Sequence, residues 1–293
     1  MSQEPDPGVF VESGTFRVDK SRAVRKLELY QLAEDASPLL LWVRCANACA
    51  SSLIRIRQQA CWCEIRFDGE PFSSSHFHDP FSALFDDEAQ AEPRMKHLAF
   101  GLIQAVKLAP RLITIRSGAG LDRSMLRITP IEGGQVEQEV SPDVAAEKDT
   151  SIQLEWSSWD REASLRAHLQ RERCPDIFAM SRASLALEDS LIVDPAEDPP
   201  GEKRFEEEGT RVVLSRRGSA TVPVGRAGFY SYGVLVSVSE MGRGFGAAAW
   251  LNDDRFQLNA SLDGVVQDER LRRARTLLRE RAAGFLARKN RGA

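Results

Sequence analysis

The chain has 293 residues, 42% apolar and 28% charged, with a formal net charge of −4. That length predicts two domains of ordinary size, each burying its own core. The composition is that of a soluble globular protein: it contains no run of about 18 uncharged apolar residues to span a membrane, and its slight negative charge gives no general electrostatic reason to bind nucleic acid.

The first residues, Met1-Ser2-Gln3-Glu4-Pro5-Asp6-Pro7, are acidic and Pro-rich and lack the basic-then-apolar order of a secretory signal, which predicts a cytoplasmic protein. Residues 10–18 partly alternate and predict a short strand, after which Asp19 is placed to cap a helix over 20–32. Ser37-Pro38 then reads as an N-cap with Pro in the first turn, opening an apolar helix over 39–51 that should be buried nearly all round and that contains Asn47. Two alternating runs, 53–58 and 60–67, predict a tight hairpin near Gln58-Gln59 that ends in Phe67-Asp68-Gly69.

Residues 71–94 mix Ser, Pro, Phe and acidic side chains, the composition of a partly helical surface segment and a candidate lid. A helix over 97–108 and a strand over 111–116 follow, then strands at 125–129 and 151–156 around a polar connector, 132–148, so the first domain is expected to close near Trp159. Beyond it come a charged helix (161–173), a Pro/Glu-rich connector (194–209), strands at 210–215, 232–239 and 247–251, and a final helix over 268–289. Helices and strands alternate there, as in an α/β or α+β domain. In that last helix seven arginines from Arg270 to Arg288 surround an apolar stripe, the pattern of a docked helix with a charged outer face; a partner-helix or nucleic-acid contact is the alternative.

Five cysteines, Cys45, Cys49, Cys61, Cys63 and Cys174, sit in largely apolar stretches, which suits reduced core thiols better than a disulfide framework. Cys61 and Cys63 with His76 and His78 could complete a zinc tetrahedron, but structural zinc sites use wider cysteine spacing, and buried thiols are the better reading. Gly242-Arg243-Gly244-Phe245-Gly246 lacks the following helix of a dinucleotide site and reads as a loop.

The order of these residues resembles the Bergerat ATP-binding fold of gyrase, histidine kinases and the heat-shock protein 90 chaperones (the GHKL superfamily), most closely the chaperone branch. The similarity rests on a helical Asn-Ala pair (Asn47-Ala48), a hairpin ending in Asp68-Gly69, a lid, Phe100-Gly101-Leu102 opening a helix that leads to a strand ending at Arg116-Ser117, and Thr150 before a last strand. In the second half, residues 251–261, with Asp253-Asp254 and then Leu258-Asn259-Ala260-Ser261, resemble a segment of the chaperone middle domain. The resemblance implies an α+β chain: a nucleotide-binding α/β sandwich over 1–159 and a middle-domain-like α/β domain over 160–293.

It also implies roles. Asp68 would accept the adenine amino hydrogen bond, Asn47 would ligate Mg²⁺, Gly69 and Thr150 would line the nucleotide, and backbone N–H groups at Gly101 would approach the phosphates of ATP or ADP. The departures matter equally. Val43 stands four residues before Asn47, where the family has its Glu base; Ala50, Ala99 and Leu262 replace a further Asp, a lid-hinge Gly and an Arg directed at the γ-phosphate; and Asp68-Gly69-Glu70-Pro71 lacks the family's glycine spacing. Valine accepts no proton at any pH. The expected function is therefore a nucleotide-binding pseudo-ATPase, chaperone-like or scaffolding, acting on a protein partner or client and able to form a homodimer. An active ATPase using Glu70 or one of Asp86, Asp87 and Glu88 as base is the alternative, as is a metal- or nucleic-acid-binding module without nucleotide chemistry.

Overall fold

The computed structural model describes residues 37–59, 61–85, 92–131, 135–156, 174–188, 190–195, 203–259 and 262–287. The expected strand at 10–18, the helices at 20–32 and 161–173, and Asp86, Asp87 and Glu88 lie outside the described residues.

Ser37 and Pro38 begin helix α1 (Ser37–Ala48), whose Leu39, Trp42, Val43 and Ala46 are fully buried. The chain reverses into β1 (Leu53–Gln59) and β2 (Trp62–Phe67), antiparallel with Ile56 opposite Ile65. Next come a short helix α2 (Ser74–His78), a 3-10 turn (Ser82–Leu84) and the long helix α3 (Pro93–Lys107), which starts on a Pro free of any intrahelical donor duty. Strands β3 (Leu112–Ser117), β4 (Ser124–Ile131), β5 (Gln135–Pro142) and β6 (Thr150–Glu155) precede a single helical turn, α4 (Cys174–Ile177), and a second hairpin, β7 (Ser184–Leu187) and β8 (Ser190–Val193).

These eight strands form one mixed sheet in the order β5-β4-β3-β6-β2-β1-β7-β8. Alternation puts Ile54, Ile56, Ile65, Phe67, Ile113, Ile115, Ile152 and Leu154 on one face, where α1 and α3 cover them. Arg55, Arg57 and Arg127 project from the other face. The segment expected to be a lid contributes Phe72, Phe77 and Ala83 to this core, so its aromatic residues are anchors under α3 and not a loose flap. Part of the expected polar connector, β5, is a strand paired along its length with β4. The hairpin β7–β8 follows the expected close of the first domain, yet β7 runs parallel to β1 and extends the first sheet.

The second sheet contains β9 (Lys203–Glu207), β10 (Thr210–Ser215), β11 (Arg226–Ser231), β12 (Val234–Glu240) and β13 (Ala248–Asn252), in the order β12-β11-β13-β10-β9. Helix α5 (Glu269–Ala287) lays Leu271, Ala274, Leu278, Ala282 and Phe285 on one face. On the other face Met180 packs with Val213, Tyr230 and Trp250. The architecture is α+β with two mixed sheets. None of the described helices is long and apolar enough to cross a membrane.

Candidate functional site

Asp68 closes β2 against the end of α1. Its Oδ1 accepts the backbone N–H groups of Ser52 (2.8 Å) and Leu53 (2.9 Å), and its Oδ2 accepts the Ser52 hydroxyl. Partial burial pushes the carboxyl pKa upward, but the Ser52 hydroxyl and the two amides outweigh it and hold the group below the usual carboxylate range. Gly69 follows with φ +106°, a left-handed conformation open to glycine, and a Cβ there would overlap the carbonyl oxygen of Cys49. Glu70 N–H donates to that same oxygen at 2.8 Å. Asp68 and Gly69 thus brace the α1–β1 turn, and the carboxylate spends most of its acceptor capacity on its own chain.

Thr150 is the register partner of Phe67, so it stands beside Asp68 at one end of the adjacent strands β6 and β2. Its hydroxyl shares a buried hydrogen bond of 2.6 Å with Ser117, which also accepts the N–H of Phe72 at 2.9 Å. The pair ties the 71–85 segment to the end of the sheet. Gly101 lies one helix away, in the middle of α3, where a Cβ would stand 2.5 Å from Cδ1 of Trp42. The missing side chain makes room for the Trp42 indole, which is fully buried in the α1–α3 crossing.

Asn47 faces elsewhere. Its Nδ2 donates to Val43 O (3.0 Å), and its Oδ1 accepts the Arg182 N–H (3.1 Å) and the Ser181 hydroxyl (3.2 Å). This amide binds α1 to the stretch before β7, on which the second sheet also rests. Arg211 donates to the carbonyls of Met180 and Ser181, and the Tyr230 hydroxyl donates to Asp176 O at 2.7 Å. The β11–β12 turn completes the seam: Val234 joins the core of the first sheet, and the Tyr232 ring meets His97 of α3 edge-on, with centroids 4.9 Å apart. Asp254 accepts the Tyr232 N–H (2.7 Å) and the Asn252 amide (2.9 Å), while Asn252 Oδ1 accepts the Gly233 N–H (2.8 Å). Tyr232 itself has φ +48°, an uncommon state for a bulky residue, so tertiary contacts hold it there.

The second aspartate of interest, Asp253, is 1% exposed. It accepts Arg270 through Nε (2.9 Å) and Nη2 (2.7 Å), the Arg255 N–H (3.0 Å) and the Thr210 hydroxyl (2.8 Å). Burial alone would raise its pKa, but these donors, Arg270 foremost, hold it down. Asp253 borders a cleft of about 670 Å³ between the β9–β10 turn and α5, lined by both signs of charge, among them Glu207, Glu269, Arg255 and Arg273.

The residues named from the sequence therefore fall into three groups: Asp68, Gly69 and Thr150 at the end of β2 and β6, Gly101 under Trp42, and Asn47 on the seam. Sequence reasoning did not find Ser52, Ser181 or Tyr232, and it named Ser117 and Asp254 only as motif positions, without the contacts they make here. The one available signal was Tyr232-Gly233 between two β-rich runs, a hairpin turn pattern. Cys63 is buried and Cys61 exposed, and His76 Nδ1 accepts the Ser73 N–H at 3.0 Å. Among the described residues no three His, Cys, Asp or Glu side chains group as a metal site. No protein-family model matches the chain, and the search of curated proteins finds no match either.

Proposed function

We propose that this chain is a hydrolysis-deficient, chaperone-like scaffold of the Bergerat type, acting in the cytoplasm through contacts with a protein partner or client and taking ATP or ADP with Mg²⁺ only weakly. The order of elements supports the family reading: helix with Asn47, hairpin with Asp68, helical segment, helix with Gly101, and strands to Thr150, with the helices on one face of the sheet. The observation that carries the weakness of binding is the state of Asp68, whose two oxygens already accept three hydrogen bonds from Ser52 and Leu53. An adenine amino group would find three of the about four acceptor sites of a carboxylate taken and would share Oδ2 with the Ser52 hydroxyl; displacing that charge-assisted bond costs about 1.5–3 kcal/mol. Val43, at the position of the family's base, is fully buried and has no ionisable group.

Calorimetry with ATP and Mg²⁺ on the full chain tests this reading. The expected result is a dissociation constant in the millimolar range, weakened further in Asp68→Asn, with phosphate release equal to a no-protein control. Phosphate release above that control, abolished by Asp68→Asn, would instead establish a working ATPase. Binding that is absent at millimolar ATP and insensitive to Asn47→Ala would remove the nucleotide from the proposal and leave the scaffold.

A further inference from the structure

Arg44 is a cation in the wrong place. It lies in the middle of α1, 4% exposed, and among the described residues it has neither a hydrogen bond nor an ion pair; its Nε is buried without a partner. Burial accounts for the fall of its guanidinium pKa to about 10, and no carboxylate among the described residues offsets it. An isolated charge taken out of water is among the most destabilising things a core can contain, so such groups are paired or hold a ligand. His97, 9% exposed, lies on α3 one turn from Arg94, whose carbonyl accepts the Cys45 thiol of α1 at 3.3 Å, so it faces the turn that carries Arg44; its Nδ1 is also buried without a partner. Arg44 and Asn47 are three residues apart and share one face of α1, the face turned to the seam with the second sheet. Of the carboxylates on that seam, Asp254 is committed to Tyr232 N–H, the Asn252 amide and Arg182, and Asp176 accepts the Thr221 N–H.

We propose that Arg44 and His97 form a site for a small oxyanion, admitted when the strained Tyr232–Gly233 turn lifts from His97. Planar guanidinium N–H groups and an imidazole N–H are matched to phosphate or carboxylate oxygens, and an anion would supply the charge that the described protein groups do not. Tyr232 is the cover: its ring meets His97 edge-on, and its left-handed backbone is an uncommon conformation that lifting the turn would relieve. The inference does not depend on the nucleotide reading, because it involves neither Asp68 nor Gly101 and needs no adenine.

The test is thermal unfolding and calorimetry of the full chain in phosphate-free buffer, titrated with sodium phosphate or sodium acetate against sodium chloride at equal ionic strength. A saturable rise in Tm of about 5 °C is expected at a hundredfold excess over Kd. The anion that produces the rise identifies the ligand as phosphate-like or carboxylate-like. Arg44→Met should start from a higher Tm than the parent and lose the response, with binding weakened at least tenfold; His97→Phe should also lose it and gives the same reading if Arg44→Met does not fold. The proposal is overturned if neither anion exceeds the chloride control, or if both variants keep the parent's response. ATP binding without any response to phosphate or acetate overturns this site while leaving the proposed function standing.

Discussion

Trp42 of α1 lies directly over Gly101 of α3, filling the space where any larger residue would place its Cβ. The two helices pack closely at this pair, and the glycine named by the resemblance to a phosphate-binding helix also serves packing against Trp42. Gly101→Ala should force the indole out of its rotamer and destabilise the protein by about 1–3 kcal/mol, more than the gain in helix propensity can offset. Urea unfolding followed by tryptophan fluorescence measures it, and an unchanged or higher midpoint would show that α1 and α3 separate easily.

Asn47→Ala removes the acceptor for Ser181 and Arg182 and leaves an N–H without its partner. A loss of about 1–2 kcal/mol is expected. Faster amide exchange should appear in residues 177–185, while the β2–β6 pairing stays protected. A uniform change across both sheets would mean that Asn47 matters to the fold as a whole and not to the seam.

Acid should weaken the protein through His97. Burial first, then the Arg44 and Lys96 charges, push its pKa down to about 3 from the usual 6.5. The unfolded chain takes up a proton near pH 6.5 and the folded chain does not, so the contribution of neutral His97 is complete above that pH and is lost as the pH falls toward 3. Between pH 6.5 and 5 the expected loss is roughly 1–2 kcal/mol. His97→Phe should flatten the pH dependence in that window in urea titrations; an equally steep fall in the variant would assign the effect to other groups.

Asp253→Asn should be more damaging than its position in a turn suggests. The carboxylate holds Arg270 of α5, whose Nε and Nη2 both donate to Oδ2, and the turn residue Arg255, so its loss leaves Arg270 without that counter-charge and loosens the helix from the second sheet. Truncating one partner of such a partly buried pair costs about 2–4 kcal/mol. Its pKa is depressed in the fold, so its contribution is full above the unfolded value and disappears as the pH falls through the folded one. Circular dichroism melts at pH 7 and pH 3 should differ by less in the variant than in the parent, with the His97 contribution remaining in both.

Phe77→Ala tests whether residues 71–85 are core or lid. Phe77 is fully buried in the first core, and its loss should cost about 3–5 kcal/mol. A neutral result, with proteolysis in this segment unchanged, would restore the lid reading.

The elements that were legible in the sequence are those whose local pattern and tertiary fate agree. Ser37-Pro38 before an apolar run gives α1, and the alternation of Cys63, Ile65 and Phe67 gives β2, while Cys61 falls before the strand and is exposed. The strands β5 and β9 were hidden because each lies at a sheet edge and is mostly exposed, so acidic residues such as Glu137, Glu139, Glu206 and Glu207 stand where a central strand needs apolar ones. At the candidate site the sequence supplies residue types but not partners. Asp68 finds its donors 15 and 16 residues away, and Asn47 finds Ser181 and Arg182 more than 130 residues away, a distance no local pattern encodes.

The parallel pairing of β1 with β7 governs how the protein must be made. Leu53 to Ile56 find their partners at Ser184 to Leu187, so β1 leaves the ribosome long before the strand that completes it. At about 5–20 residues per second, the separation of 131 positions from Leu53 to Ser184 leaves this flank without its native neighbour for roughly 7 to 26 seconds of synthesis. Arg55 and Arg57 project from β1 throughout that interval, and charge on an open strand opposes pairing with a neighbouring nascent chain. The same arginines that mark the outer face of the finished sheet thus act as gatekeepers while it is being built.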